Sequence, residues 1–268
     1  MRPPTLRQIL RFPKALQKNM NTSFTQQQNS SKKIVIVAAI VGFVLCLFAG
    51  LGILYLFGQI FQEPKTKVIF EPDQSRISTV TRGELEETAH ILTHRWNFLG
   101  YPRVSFDVSY NGEIVGHLPD DIGIQFINRT KEIGLVEFVD FGYTPVAIGT
   151  IVNTDFEYDY LPQVDDEKWH TIITNGEMDT TGVSKADNGN YVVNFILTEK
   201  GKNILADYTN QNYNSYLGIL IDKVVISAPR VSAPILDGRG VINGAFSEES
   251  ARFLAADLRY PPLPIPLK

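Results

Sequence analysis

Residues 34 to 61 contain no charged side chain, and most of them are large and apolar. A helix needs about 20 such residues to cross the hydrocarbon core of a bilayer. Lipid leaves a backbone little alternative to helix, so Gly42, Gly50 and Gly52 do not argue against one. Lys32 and Lys33 directly precede the run, and Arg2, Arg7, Arg11, Lys14 and Lys18 lie upstream, with no acidic residue before Glu63. The positive-inside bias keeps this end cytoplasmic and sends the remainder outside. The run is longer than a signal-peptide core, no small-x-small cleavage pattern follows it, and Leu45 before Cys46 is too large for a lipoprotein site. The expectation is an uncleaved signal anchor over 34–61 behind a basic cytoplasmic tail and linker over 1–33. Pro13 interrupts any helix in that tail, which reads as disordered chain carrying orientation charges.

The net charge of -4 hides this asymmetry, because acids outnumber bases from Glu63 onward. A nucleic-acid binder carries its positive charge on the folded part, so that class is set aside. Cys46 is the single cysteine, which rules out an intramolecular disulfide or a cysteine-cluster zinc site.

The outer region shows a regular alternation of elements. Lys67 to Phe70 is β-like. Thr81 to Leu99 reads as a helix, with a Thr81/Glu84 capping box and an apolar face of Leu85, Ala89, Leu92, Trp96 and Leu99. Val104–Val108 and Glu113–Leu118 read as strands joined by an Asn111-Gly112 turn. Asp120–Arg129 reads as a helix and Leu135–Phe141 as a strand. This strand-helix-strand-strand-helix-strand order predicts a ferredoxin-like base over 64–143. An acidic linker over 144–168 follows. A mixed α/β head over 169–262 has a strand at Tyr191–Leu197, a helix from Thr198 to Tyr213, strands within Gly218–Ile226 and at Gly240–Ile242, and a helix from Ser247 to Leu258. A tail over 263–268 ends the chain. The fold class is α+β.

Within the head, Ile221-Asp222-Lys223-Val224-Val225-Ile226-Ser227-Ala228-Pro229, then Pro234, then Gly240-Val241-Ile242-Asn243-Gly244-Ala245-Phe246, then Leu263-Pro264-Ile265-Pro266-Leu267 resemble the SecD family of protein-export membrane proteins. Arg95-Trp96-Asn97-Phe98-Leu99-Gly100, Val136-Glu137-Phe138 and Ile173-Thr174-Asn175-Gly176-Glu177 are similar to further pieces of it. The resemblance implies the first extracytoplasmic domain of that family, a base with a mobile head that handles the emerging preprotein. It marks Asp222, Ser227, Ala228, Pro229, Pro234, Gly240, Gly244, Phe246, Leu263 and Pro264 as binding or structural positions. Lys223 stands where the family has a turn glycine, and Pro261 replaces another. In the family the Leu-Pro-x-Pro-Leu run leads to membrane helices whose ionisable groups couple protons; with the sequence ending at Lys268, the expectation departs from the family in lacking them.

Other chemistry is weighed against simpler readings. Glu86, His90 and His94 share one helical face at metal-ligand spacing, but no further donor completes the set, so a solvated face is expected. Asp155, Glu157, Asp159, Asp165, Asp166 and Glu167 are of the type that suits calcium, yet they lack a calcium-loop pattern and read as a solvated loop. His117, His170 and Ser227 have no catalytic motif around them. No enzyme, cofactor or metal site is expected. The expected function is an accessory of Sec-dependent export that binds unfolded or translocating polypeptide, beside the Sec translocon or a SecF-like or SecD-like subunit, with the edges of the Leu217–Ile235 strands taking the chain. The alternative is a membrane-anchored envelope scaffold without an export role.

Overall fold

The computed structural model describes residues 66–161, 164 and 167–268. The expected tail and membrane span lie outside them. Among the described residues no helix is long and apolar enough to cross a membrane.

The first part follows the predicted order: β1 (Thr66–Phe70), α1 (Arg82–Phe98), β2 (Ser105–Val108), β3 (Ile114–Leu118), α2 (Ile124–Thr130) and β4 (Val136–Asp140). Thr81 caps α1 with the full reciprocal capping box to Glu84. The apolar stripe of α1 puts Leu85, Ala89, Leu92 and Trp96 in the core, and the Trp96 indole N–H donates to Thr130 Oγ1 of α2 at 3.1 Å. The Asn111-Gly112 turn forms as a longer loop closed by Ser109 N–H to the Glu113 carbonyl at 2.8 Å, with Gly112 at φ 81°. α2 starts four residues later than expected, because Pro119 to Ile122 is spent on a turn.

The ferredoxin-like expectation needs one correction. β1, β3 and β2 form an antiparallel sheet in the order β1-β3-β2, and β4 is not in it. β4 is central in a second sheet, β5-β4-β8-β9, with β5 at His170–Thr174, β8 at Leu217–Ile221 and β9 at Val224–Ser227. The reason is its burial: four of its five residues are buried on both faces, and such a strand needs cover on both sides and a neighbour at each edge. Just past β1, the C-terminal segment pairs with the chain. Lys268 N–H donates to the Glu71 carbonyl at 2.9 Å, and Asp73 N–H to the Pro266 carbonyl at 2.9 Å. Pro264 and Pro266 lack the N–H of an interior strand, and an edge position tolerates that.

A third sheet, in the order β10-β7-β6, comprises β6 (Met178–Lys185), β7 (Tyr191–Leu197) and β10 (Arg239–Phe246). α3 (Glu199–Gln211), capped by Thr198, packs on β5 and β7. α4 (Glu248–Arg259), capped by Ser247, packs on β6 and β7. One apolar cluster gathers α1, β3 and the returning Leu263, Ile265 and Leu267. Another gathers Val136 and Phe138 of β4 with β7, β8, α3 and α4.

The stretch 144–168 is built into both parts. Leu161 joins the first cluster with Tyr158 and Tyr160 beside it, and the Tyr158 hydroxyl donates to the Leu263 carbonyl at 2.8 Å. Residues 149–152 pair with β9 through Gly149 N–H to the Val225 carbonyl at 2.8 Å and Val152 N–H to the Lys223 carbonyl at 3.0 Å. Residues 153–155 then pair with Trp169, at the head of β5, through Trp169 N–H to the Asn153 carbonyl at 2.9 Å. The loop therefore bridges the two edges of the β5-β4-β8-β9 sheet.

Candidate functional site

An open, largely apolar surface lies where α4 meets α2 and the end of α1. Two cavities adjoin there. One of about 490 Å³ is lined by Leu99, Tyr101, Phe126, Phe253, Glu249 and Arg252. The other, of about 420 Å³, is lined by Ile221, Ile226, Phe246, Phe253, Leu254 and Glu249. Phe253 and Glu249 belong to both. Apolar walls with a few polar groups at the rim are the usual make-up of a binding surface.

The groove owes its shape to a tilted aromatic pair and a largely buried charge network. Phe126 and Phe253 meet with ring centroids 5.0 Å apart, and the Arg129 guanidinium lies 5.3 Å over the Phe253 ring, a cation–π contact. Arg129 is held in turn by Asp257 at 3.1 Å and by Glu132. Asp257 also reaches the buried Arg95 at 3.4 Å. Arg95 donates to the carbonyls of Ile133 and Pro261 at 2.9 and 2.8 Å. Burial pushes the Glu132 carboxyl up to about 7, against the pull of Arg129. At the rim, hydrogen bonds from Arg252 and Tyr191 hold the Glu248 carboxyl below its usual range.

Asp222 and Asn175 sit beneath this network. Asp222 accepts from the backbone N–H groups of Leu135 at 2.8 Å and Gly134 at 3.2 Å, while burial pushes its carboxyl up. The Asn175 amide donates to the carbonyls of Gly134, Asp257 and Tyr260 at 3.1, 3.1 and 2.9 Å. One side chain thereby ties the start of β4 to the end of α4. Arg95 and Asn175 stood in the motif-like segments, but only the fold shows that they converge.

Asp222 and Lys223 form the two-residue β8–β9 turn, with φ of 48° and 70°. This is the primed geometry that hairpins prefer and that glycine normally serves. Lys223 adopts it while burying its ammonium against Glu137 of β4 at 3.0 Å, Thr154 Oγ1 at 2.5 Å and the Phe156 carbonyl at 2.7 Å. Sequence reasoning flagged Lys223 as a departure and missed its partner, which lies 86 residues away.

The other motif positions build the frame. Ser227 closes β9, and its hydroxyl donates to the Asn243 carbonyl at 3.3 Å. Ala228 packs on the small cluster around Phe141 and Val225, and the Pro229 carbonyl accepts from Leu217 N–H at 2.9 Å. Pro234 is exposed. A Cβ on Gly240 would meet the Phe195 ring at 2.3 Å, and one on Gly244 the Phe246 ring at 2.6 Å. Phe246 lines the groove. Leu263 is buried and donates its N–H to the Ile133 carbonyl at 2.9 Å, with Pro264 beside it, half-buried.

The Leu217–Ile235 strands do not present the free edges expected of them. Residues 149–152 cover the outer side of β9, and Asn214–Leu217 pairs with Pro229–Val231. Of the acidic loop, Asp155 accepts from Thr171 N–H at 2.7 Å and meets His170 at 2.6 Å, and Glu157 pairs with Lys168 at 2.8 Å. Among the described residues no group of three or more His, Cys, Asp or Glu side chains is placed to hold a metal ion.

Residues 163–265 match the family described as SecDF, P1 head subdomain. The chain is 28% identical over 246 residues to the protein translocase subunit SecD of Thermobaculum terrenum, covering 70% of this chain and 47% of that protein. It is 29% identical over 189 residues to that of Dictyoglomus turgidum, covering 70% and 41%, and 38% identical over 101 residues to that of Rickettsia bellii, covering 38% and 20%. It spans less than half the length of these curated relatives. Among solved structures, a membrane component SecDF that enhances protein export is similar with a TM-score of 0.58 and 22% identity, over 76% of this chain and 97% of that one. SecDF in its super-membrane-facing form gives a TM-score of 0.60 and 23% identity, over 75% and 29%. At that identity the two structures speak to the fold, and they match its mixed α/β architecture. With the SecDF P1 head matched across 163–265 and SecD subunits aligned along 70% of the chain, these likenesses support a SecD-family fragment.

Proposed function

We propose that the chain is an accessory of Sec-dependent protein export. It is anchored by 34–61 with its body outside the cytoplasm, and it binds extended polypeptide in the groove around Phe253. The family match over 163–265 carries the export role. The groove supports the binding role, because its two cavities of about 490 and 420 Å³ present aromatic and aliphatic walls that suit the side chains of an unfolded segment. Backbone pairing has a place too: β6 is an edge strand that pairs with β7 alone, and an extended chain adds to such an edge. The same reading names the Sec translocon or a SecF-like or SecD-like subunit as neighbours.

A photo-crosslinking amino acid at Gln125 or Glu249, both at the groove, tests this during export into membrane vesicles. The expected result is a crosslink to a stalled exported chain. Crosslinks confined to resident envelope proteins would replace the reading with a scaffold.

A further inference from the structure

On spacing alone His90 and His94 lack a third ligand, but the fold brings their two rings together. Their Nε2 atoms lie 3.0 Å apart, with ring centroids at 4.3 Å and planes inclined by 67°. An ion held about 2.0–2.1 Å from each of two imidazole nitrogens at an ordinary coordination angle sets those nitrogens roughly 3 Å apart. The two rings therefore already stand at chelating separation on successive turns of α1. In the free protein the same closeness is served by one ring N–H donating to the other ring.

The surroundings hold the pair in place. The His94 ring stacks on Tyr260, with centroids 5.9 Å apart and planes at 28°, and Phe98 meets Tyr260 edge-on at 6.1 Å. The Tyr260 carbonyl accepts from the Asn175 amide at 2.9 Å, so the platform is fixed to the buried network. A ligand ring seated before binding loses less freedom when the ion arrives. The turn before His90 carries Glu86 and Glu87, and Arg82, the cation beside them, is taken up by Glu86 at 2.8 Å. Local charge thus favours a cation. Imidazole pairs suit zinc, copper and nickel, and are poor ligands for calcium or magnesium.

We propose that His90 and His94 form a two-imidazole chelate for a divalent transition-metal ion, with water in the remaining coordination positions. The other two histidines are placed differently. His117 faces Asp107 at 3.3 Å and His170 faces Asp155 at 2.6 Å, each without a second imidazole.

The full chain in detergent, stripped with a chelator and titrated with copper(II), tests the proposal. Affinity is read by competition with a chromophoric chelator, and the ligand set by the nitrogen hyperfine pattern in electron paramagnetic resonance. The expected result is one ion per chain with two imidazole nitrogens. His90→Asn and His94→Asn each weaken binding by about 100-fold or more, the range expected when a linked second ligand is lost. His117→Asn and His170→Asn leave it unchanged. Because His90 and His94 are exposed, their variants keep the parent thermal midpoint in the absence of metal. Zinc raises that midpoint in the parent and not in the two variants. No binding, binding that survives both substitutions, or dependence on one histidine alone would overturn the chelate.

Discussion

The Lys223 ammonium lies 3.0 Å from Glu137 Oε2, with side chains only 2% and 0% exposed. A lysine at φ 70° bears a backbone cost of about 1–2 kcal/mol relative to glycine, and its charge must also leave water. The carboxylate of Glu137, the Thr154 hydroxyl and the Phe156 carbonyl offset both costs. The turn of one hairpin thus fastens the 149–156 loop to the central strand of the sheet.

Removing one partner strands the other. Lys223→Met should lower unfolding free energy by about 3–5 kcal/mol, the cost of an uncompensated buried charge. Adding Glu137→Leu should recover much of it. Urea denaturation of the two variants measures this, and a loss under about 1 kcal/mol for Lys223→Met would show that Glu137 finds another partner.

Glu132 gives stability a pH slope. Its folded carboxyl titrates at about 7 because burial outweighs the pull of Arg129, against about 4.3 when unfolded. Between those values the folded chain keeps a proton that the unfolded chain releases, so stability falls as pH rises through the window and levels off above it. Glu132→Gln removes that contribution. Relative to the parent it should melt higher at pH 8 and show no gain at pH 4.5, as followed by thermal denaturation across that range.

Gly134 leaves room for the Arg95 guanidinium. Its φ is 75°, and an added Cβ would stand 2.4 Å from Arg95 Nη2. Gly134→Ala should cost at least about 2 kcal/mol, from left-handed backbone strain and displaced charged hydrogen bonds. Gly240→Ala, pressed against Phe195, should cost about 1–3 kcal/mol through overpacking. Midpoints and m-values in urea decide both, and an unchanged midpoint for either would mean that the neighbour moves aside freely.

The segment after α4 should behave as core. Ile265 and Leu267 are buried in the same apolar cluster as Phe70, Leu85 and Leu118. Alanine at either position should cost about 2–5 kcal/mol. Amide exchange at Glu71 and Asp73, whose N–H groups donate to the Lys268 and Pro266 carbonyls, should quicken in the same variants.

Several elements were legible one at a time. Thr81 with Glu84, and Ser247 ahead of an apolar stripe, state where helices begin, because a cap and a 3.6-residue period are local facts. Tyr191–Leu197 alternates as a half-buried strand does. β6 was not legible. Met-Asp-Thr-Thr-Gly-Val-Ser-Lys has no apolar alternation of its own, and it is extended because β7 supplies its hydrogen-bond partners. The Phe253 groove was equally hidden, since its walls come from the turn after α1 and from α2, β8, β9, β10 and α4.

Alone, the sequence determined a chain with one long apolar run, an acidic body, the order of its helices and most of its strands, and the motifs of the SecD family. Periodicity and capping act over a few residues, so they survive in a linear reading. Only the tertiary structure decided that β4 leaves the β1-β3-β2 sheet, that Lys223 meets Glu137, and that two histidines touch while the other two stand apart. Those outcomes depend on which distant surfaces can be buried together, and a local pattern shows that a face is apolar without showing what will cover it.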